Sequence, residues 1–137
     1  MTAAEIATRP EARLGGTLLA IDIFAALLCA LVVIGLIVAF DQFRAVGRYT
    51  IAVAFIAVWS AGFVAMTWQR VSATPTLASI GLFVWILYRF AVSITVGYGW
   101  PLIVDLLAEL AMATAFCGYM ASGVRPNAYY RRRVPAA

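Results

Sequence analysis

An all-α, polytopic membrane protein with four transmembrane helices in an N-in/C-in bundle is the fold the sequence predicts, on three observations. Of 137 residues, 65% are hydrophobic and 12% are charged, and the mean hydropathy is +0.97. A soluble domain has roughly half apolar and a quarter charged residues. The apolar residues gather into four stretches, each near the roughly 20 residues that cross a hydrocarbon core. The breaks between them are short, so residues 1–137 read as one transmembrane domain with no room for a soluble one.

The first stretch covers about residues 14–40, enough for a ~30 Å core with some tilt at about 1.5 Å per residue. It is too long for the apolar core of a cleaved signal, about 7 to 15 residues. Leu27-Leu28-Cys29 also puts a bulky Leu where a lipoprotein signal needs a small residue, so an uncleaved span is expected. Asp41-Gln42-Phe43-Arg44 to Arg48 breaks the pattern, and residues 49–68 form a second span carrying Trp59 and Trp68. Gln69 and Arg70 end it, and Val71 to Thr76 reads as a turn or helix start from its Ser, Thr and Pro content. A third span follows at about 77–96. Gly97-Tyr98-Gly99-Trp100-Pro101 makes a short interfacial turn into the fourth span, about 101–120. A short segment, 1–13, and a basic tail, 121–137, flank the spans.

Arginine sets the orientation. Arg9, Arg13, Arg70, Arg125, Arg131, Arg132 and Arg133 flank one side, Arg44 and Arg48 the other, and Arg89 lies inside a span. That bias puts both termini and the second loop in the cytoplasm.

Composition also excludes function classes. All ten basic residues are Arg, so no Schiff-base or P-loop lysine exists. No His is present, which argues against a bound haem and against the usual zinc or copper sites. Cys29 and Cys117 fall inside apolar stretches, where a small buried hydrophobe is the ordinary role. No cofactor, metal or catalytic residues are assigned. The charge of +4 sits mainly at the chain ends rather than on a basic stripe, so nucleic acid is not an expected partner.

Four ionisable residues form the candidate site: Asp22, Arg89, Asp105 and Glu109 interrupt the apolar spans. Each costs about 2.5 to 3.5 kcal/mol at mid-helix on insertion scales, against about 0.3 to 0.6 regained per Leu or Ile. A tight turn near Gly99 makes the last two spans antiparallel, so Arg89 faces Glu109, with Asp105 one turn away on the same face. An Arg89–Glu109 pair with Asp105 as second acceptor is expected. Mutual neutralisation that fixes helix register is the favoured role, because an acid paired with Arg is a poor proton carrier near neutral pH. An ion or proton path is the alternative. Asp22 lies two turns into the first span, within expected reach of the interface or of Arg70.

Small residues form two ridges, Ala57, Ala61 and Ala65 on the second helix and Ala108, Ala111, Ala115, Gly118 and Ser122 on the fourth. Such faces let helices approach closely. The second ridge lies about 100 to 140° round from the two acids, so the fourth helix belongs either at the bundle centre or against a partner. In the tail, Gly123 and Pro126 read as a helix stop, and Tyr129 and Tyr130 precede the arginines at the surface. Arg125, Arg131, Arg132 and Arg133 are candidate lipid-headgroup contacts, although membrane orientation alone accounts for them.

Leu14-Gly15-Gly16-Thr17-Leu18 at the opening of the first helix, and the exit from Tyr119-Met120 to Arg133, resemble a family of small four-helix bacterial inner-membrane proteins defined as a domain of unknown function. Its members often begin with Gly-Gly before the first span and end in an Arg-containing tail. Thr17 stands where the family pattern has an aromatic. The resemblance implies a multi-pass bacterial inner (plasma) membrane location and no activity.

The function expected is therefore that of a non-enzymatic accessory, assembly or structural membrane subunit. It would act through helix–helix association with a membrane-protein partner or as a homo-oligomer, among membrane lipids. The alternative is a small ion- or proton-coupled transporter working as an oligomer.

Overall fold

A computed structural model of the chain describes residues 10–38, 47–96 and 99–131. These residues are all-helical: a 3-10 turn at Pro10–Ala12 precedes five helices, α1 (Gly16–Val38), α2 (Arg48–Trp68), α3 (Thr74–Val96), α4 (Trp100–Ser122) and α5 (Val124–Arg131). The first four are long and apolar enough to cross a membrane. In lipid a helix is favoured because it pairs its backbone groups within one segment. Arg9, Asp41, Arg44, Tyr98, Arg132 and Arg133 lie outside the described residues.

Two differences from the sequence reading fall at prolines. α3 begins at Thr74, ahead of residue 77, with Pro75 as its second residue. Proline suits a first helical turn, where its missing N–H has no partner to lose. The same physics converts the tail: Pro126 lies in the first turn of α5 and starts a helix there, so it does not confirm a stop. Gly123 still separates α4 from α5, its N–H bonded to the Tyr119 carbonyl at 2.8 Å. Asn127 Nδ2 donates to the Gly123 carbonyl at 2.9 Å and the Ala121 carbonyl at 3.2 Å, holding the two helices at their corner.

α2 ends in a Schellman arrangement: the Val71 N–H reaches the Met66 carbonyl and the Arg70 N–H the Thr67 carbonyl, each at 3.0 Å. Glycine is the usual residue at the left-handed position of that motif, but here Arg70 occupies it, at φ 53°.

The helices pack as two hairpins, α1 with α2 and α3 with α4, which meet chiefly through α2 and α3. Leu18, Ala25, Phe63, Ala78, Met120, Tyr129 and Tyr130 form the buried core. It lies toward the end of the bundle that carries the α2–α3 turn and α5, the tail end. Trp59 stacks on Phe63 at 5.7 Å, and Phe116 meets both rings edge-on at 6.1 and 5.9 Å. Gly81 makes this possible, because a Cβ there would come within 2.3 Å of the Trp59 ring. Trp59 then donates its Nε1–H to the Ala78 carbonyl at 3.1 Å. Toward the opposite, far end, Phe55 of α2 stacks on Trp85 of α3 at 5.8 Å. Beyond it Ser93 is the sole buried side chain among the described residues.

Candidate functional site: an ionic triad beside an apolar cavity

The antiparallel α3–α4 hairpin brings Arg89, Asp105 and Glu109 together. Arg89 Nε donates to Glu109 Oε1 at 3.0 Å and Oε2 at 3.2 Å, and Nη2 bonds both Glu109 Oε1, at 3.0 Å, and Asp105 Oδ2. This is the pairing that the register about Gly99 implies. A planar guanidinium serves here as a lysine would not, because its fork spans two carboxylates at once. Trp85 adds a donor that sequence reasoning missed, its Nε1–H lying 3.1 Å from Glu109 Oε2. One turn along α3 from Arg89, its indole faces α4; a Trp four residues before an intramembrane Arg is the only trace of this in the sequence.

The triad is unevenly covered. The side chains of Arg89 and Glu109 are 23% and 20% exposed, whereas that of Asp105 is 57% exposed. With all three ionised, one base and two acids leave a net charge of −1.

Glu109 also lines a cavity of about 710 Å³ between the two hairpins, with walls from all four long helices. Phe55, Trp59, Trp85 and Phe116 supply aromatic surface, and α1 closes one side through residues such as Ile21 and Ala25. Phe24 of α1 and Met112 of α4, both exposed, also line it. A second, shallower groove runs between α1 and α2 along Ala26, Ala30, Ala61 and Ala65. Ala61 and Ala65 of the α2 small-residue ridge thus line a groove.

Asp22 stands apart from the triad. It is 4% exposed, and its Oδ2 accepts the Trp68 Nε1–H at 3.0 Å. Oδ1 has no partner among the described residues. Arg70, its expected neighbour, lies instead over the Tyr129 ring at 4.9 Å. The left-handed turn at Arg70 carries its side chain under the bundle toward α5.

The tail is a structural cap. Tyr129 donates its hydroxyl to the Thr67 carbonyl at 3.0 Å, and the Tyr130 hydroxyl pairs with Thr67 Oγ1 at 2.8 Å. Burial pushes the Tyr130 phenol up to about 12, against the opposing effect of its Thr67 hydrogen bond. Arg125 Nη1 donates to the carbonyls of Pro10 at 3.1 Å and Arg13 at 3.3 Å, tying the tail to the N-terminal turn. The guanidinium lies against Gly15 and Gly16, and Gly16 takes the left-handed conformation, φ +55°, that glycine tolerates best. Arg131 bonds Asn127 Oδ1 at 3.1 Å. The Gly-Gly opening and the arginine-bearing exit, far apart in sequence, are therefore one contact in space.

Among the described residues no three His, Cys, Asp or Glu side chains come together as a metal site. Cys29 on α1 and Cys117 on α4 are free thiols.

Fold and site together describe a helical protein with four helices long and apolar enough to span a membrane and an ionic triad joining two of them. No family model matches the chain, and neither does any curated protein or solved structure.

Proposed function

We propose that the protein is a non-catalytic accessory or assembly subunit of the bacterial inner membrane, acting through lateral helix association with α4 as its contact face. One observation carries this reading: from Trp100 to Tyr119 no residue of α4 is buried. The small-residue ridge Ala108, Ala111, Ala115, Gly118 and Ser122 is exposed along its whole length. Small faces are spent on close helix contact in membranes, where lipid tails offer no hydrophobic reason to cover them. α4 packs chiefly against α3 and α5 and turns Phe116 to Trp59 and Phe63, while its small-residue ridge stays uncovered, so a helix from outside the chain is what would cover it. The exposed Asp105 carboxylate gives a covering helix a polar group to satisfy. The arginine bias supports cytoplasmic termini.

Purification from native membranes into lipid-preserving nanodiscs, with native mass and identification of bound proteins, tests the reading. A particle heavier than the 14.8 kDa chain and its lipids is expected. It should revert to the monomer when Ala111→Trp blocks the ridge. An isolated monomer in the wild-type protein would remove the reading.

A second reading, a small ion- or proton-coupled transporter working as an oligomer, is favoured by Glu109 reaching the cavity wall. Proteoliposomes showing pH-dependent flux that is lost on neutralising Asp105 and Glu109 would support it. Absence of flux across a broad substrate panel would remove it.

A further inference from the structure

The cavity between the hairpins has a feature that association does not explain, because its chemistry is polarised. Its surface is almost wholly apolar apart from Thr17 and, toward the other end, Glu109, whose carboxylate is held by Arg89 and by the Trp85 Nε1–H. Glu109 lies within three residues of the centre of the 23-residue helix α4, so this end is near the depth of the membrane midplane. The attached triad holds two acids against one base. With all three ionised, the triad carries a net negative charge beside this apolar space, where a counter-charge is favoured.

The other walls fit a particular kind of counter-charge. Phe55, Trp59, Trp85 and Phe116 surround the space with ring faces and edges. Such surfaces attract a poorly hydrated organic cation through the ring quadrupole as well as by dispersion. A compact, strongly hydrated ion would find too few oxygen ligands to replace its water. At about 710 Å³ the cavity falls in the range of about 300 to 1,000 Å³ typical of sites for drug-sized molecules. Its lining includes exposed Phe24 of α1 and Met112 of α4, an apolar entrance that a membrane-soluble molecule can cross.

We propose that this cavity binds a lipophilic monocation, an organic molecule of drug size with an aromatic or branched apolar body and one delocalised positive charge. The body occupies the aromatic walls and the charge lies toward Glu109. Arg89 is part of the site's selectivity: by engaging both acids it leaves one net negative charge, which favours a monocation over a dication. The inference stands on the cavity and does not depend on what covers α4.

Titration of the full chain in phosphatidylcholine nanodiscs with tetraphenylphosphonium, followed by calorimetry against empty discs, tests the proposal. Tetraphenylborate, of the same shape and opposite charge, is the control. Saturable binding of the phosphonium at one per chain is expected above the partitioning into empty discs, with no saturable binding of the borate. Glu109→Gln removes the net charge while Arg89 keeps Asp105, and should weaken phosphonium binding by about tenfold or more. Ala113→Trp, which fills the cavity and leaves the triad intact, should abolish it. Helical content by circular dichroism checks that both variants are folded; where Glu109→Gln is not, Ala113→Trp alone decides. No saturable phosphonium binding, equal binding of the borate, or binding unchanged in the filled variant would each overturn the proposal. Equal saturable binding of both ions would mark the space as a general apolar cleft for lipid tails.

Discussion

The two ends of the bundle are held by different physics. At the tail end, Leu18, Phe63 and Met120 are buried together, and Tyr129 and Tyr130 reach from α5 to hydrogen-bond Thr67. Toward the far end Phe55 stacks on Trp85 between the hairpins, and Arg89 with its two acids joins α3 to α4. Lipid tails are as apolar as leucine, so burial by itself does little to join helices in a membrane. A membrane bundle therefore closes where rings interlock and polar groups find partners. The tail end has both. Among the described residues of the far end the ion pairs lie within one hairpin, and a cavity opens between the two hairpins.

The largest expected effect separates the ends by packing. Phe63→Ala removes the ring around which Trp59 and Phe116 are arranged, and should destabilise the fold by about 3 kcal/mol. Leu107→Ala, on the exposed face of α4 (60% exposed), should change stability by less than about 0.5 kcal/mol. Equal losses, measured by reversible unfolding in mixed micelles, would erase the distinction between core and surface.

The triad comes next. Arg89→Leu leaves Glu109 at mid-helix without its base and should cost about 2 to 3 kcal/mol, below the range for a fully buried pair because the group is partly exposed. Adding Glu109→Leu should recover part of that loss, since the remaining acid, Asp105, is the exposed one. A double variant worse than the sum of the singles would contradict the pairing.

A smaller effect sharpens the account of the tail end. Tyr130→Phe forfeits the Thr67 hydrogen bond and should cost about 1 kcal/mol near neutral pH. The wild-type protein should also lose stability as pH rises from about 10, where the unfolded phenol ionises, through about 12, where the folded one does. Across that window the unfolded chain binds fewer protons, so stability falls with pH. Tyr130→Phe should flatten this part of the alkaline profile, and an unaltered profile would deny Tyr130 its buried, neutral state.

The smallest effect concerns Arg70. Arg70→Gly relieves the left-handed backbone but gives up the contact with Tyr129. Each is worth about 1 kcal/mol, so the net change should be near zero, whereas Arg70→Ala, which loses the contact without easing the backbone, should cost about 0.5 to 1 kcal/mol. Equal melting of the two variants would show that the turn is unstrained.

Much of this architecture was legible in the sequence because membrane spans are read from continuous apolar length. The Arg89–Glu109 pairing was legible for a related reason: a short turn fixes the register of an antiparallel hairpin, so depth follows from counting residues. What was not legible depends on contacts between the hairpins or on an ambiguous signal. The cavity joins residues near 20 on α1 to residues near 112 on α4, and no local pattern links them. α5 was missed because Pro126 ends one helix as readily as it begins another, and only docking of Tyr129 and Tyr130 on Thr67 decides between the two. Of the two surroundings the sequence offers Asp22, the interface or Arg70, the second is not met: a left-handed Arg70 is not foreseeable where glycine is the usual residue, and its side chain lies over Tyr129.

Pulsed electron–electron spin resonance in nanodiscs compares the two ends directly. With Cys29 and Cys117 replaced, one spin-label pair goes at Thr17 and Ser122, exposed sites at the tail end, and the other at Ile37 and Val104, exposed sites at the far end. A narrow distance distribution for the tail-end pair and a broad or multiple one for the far-end pair is the result expected of a bundle closed at one end. Equally narrow distributions at both ends would contradict it.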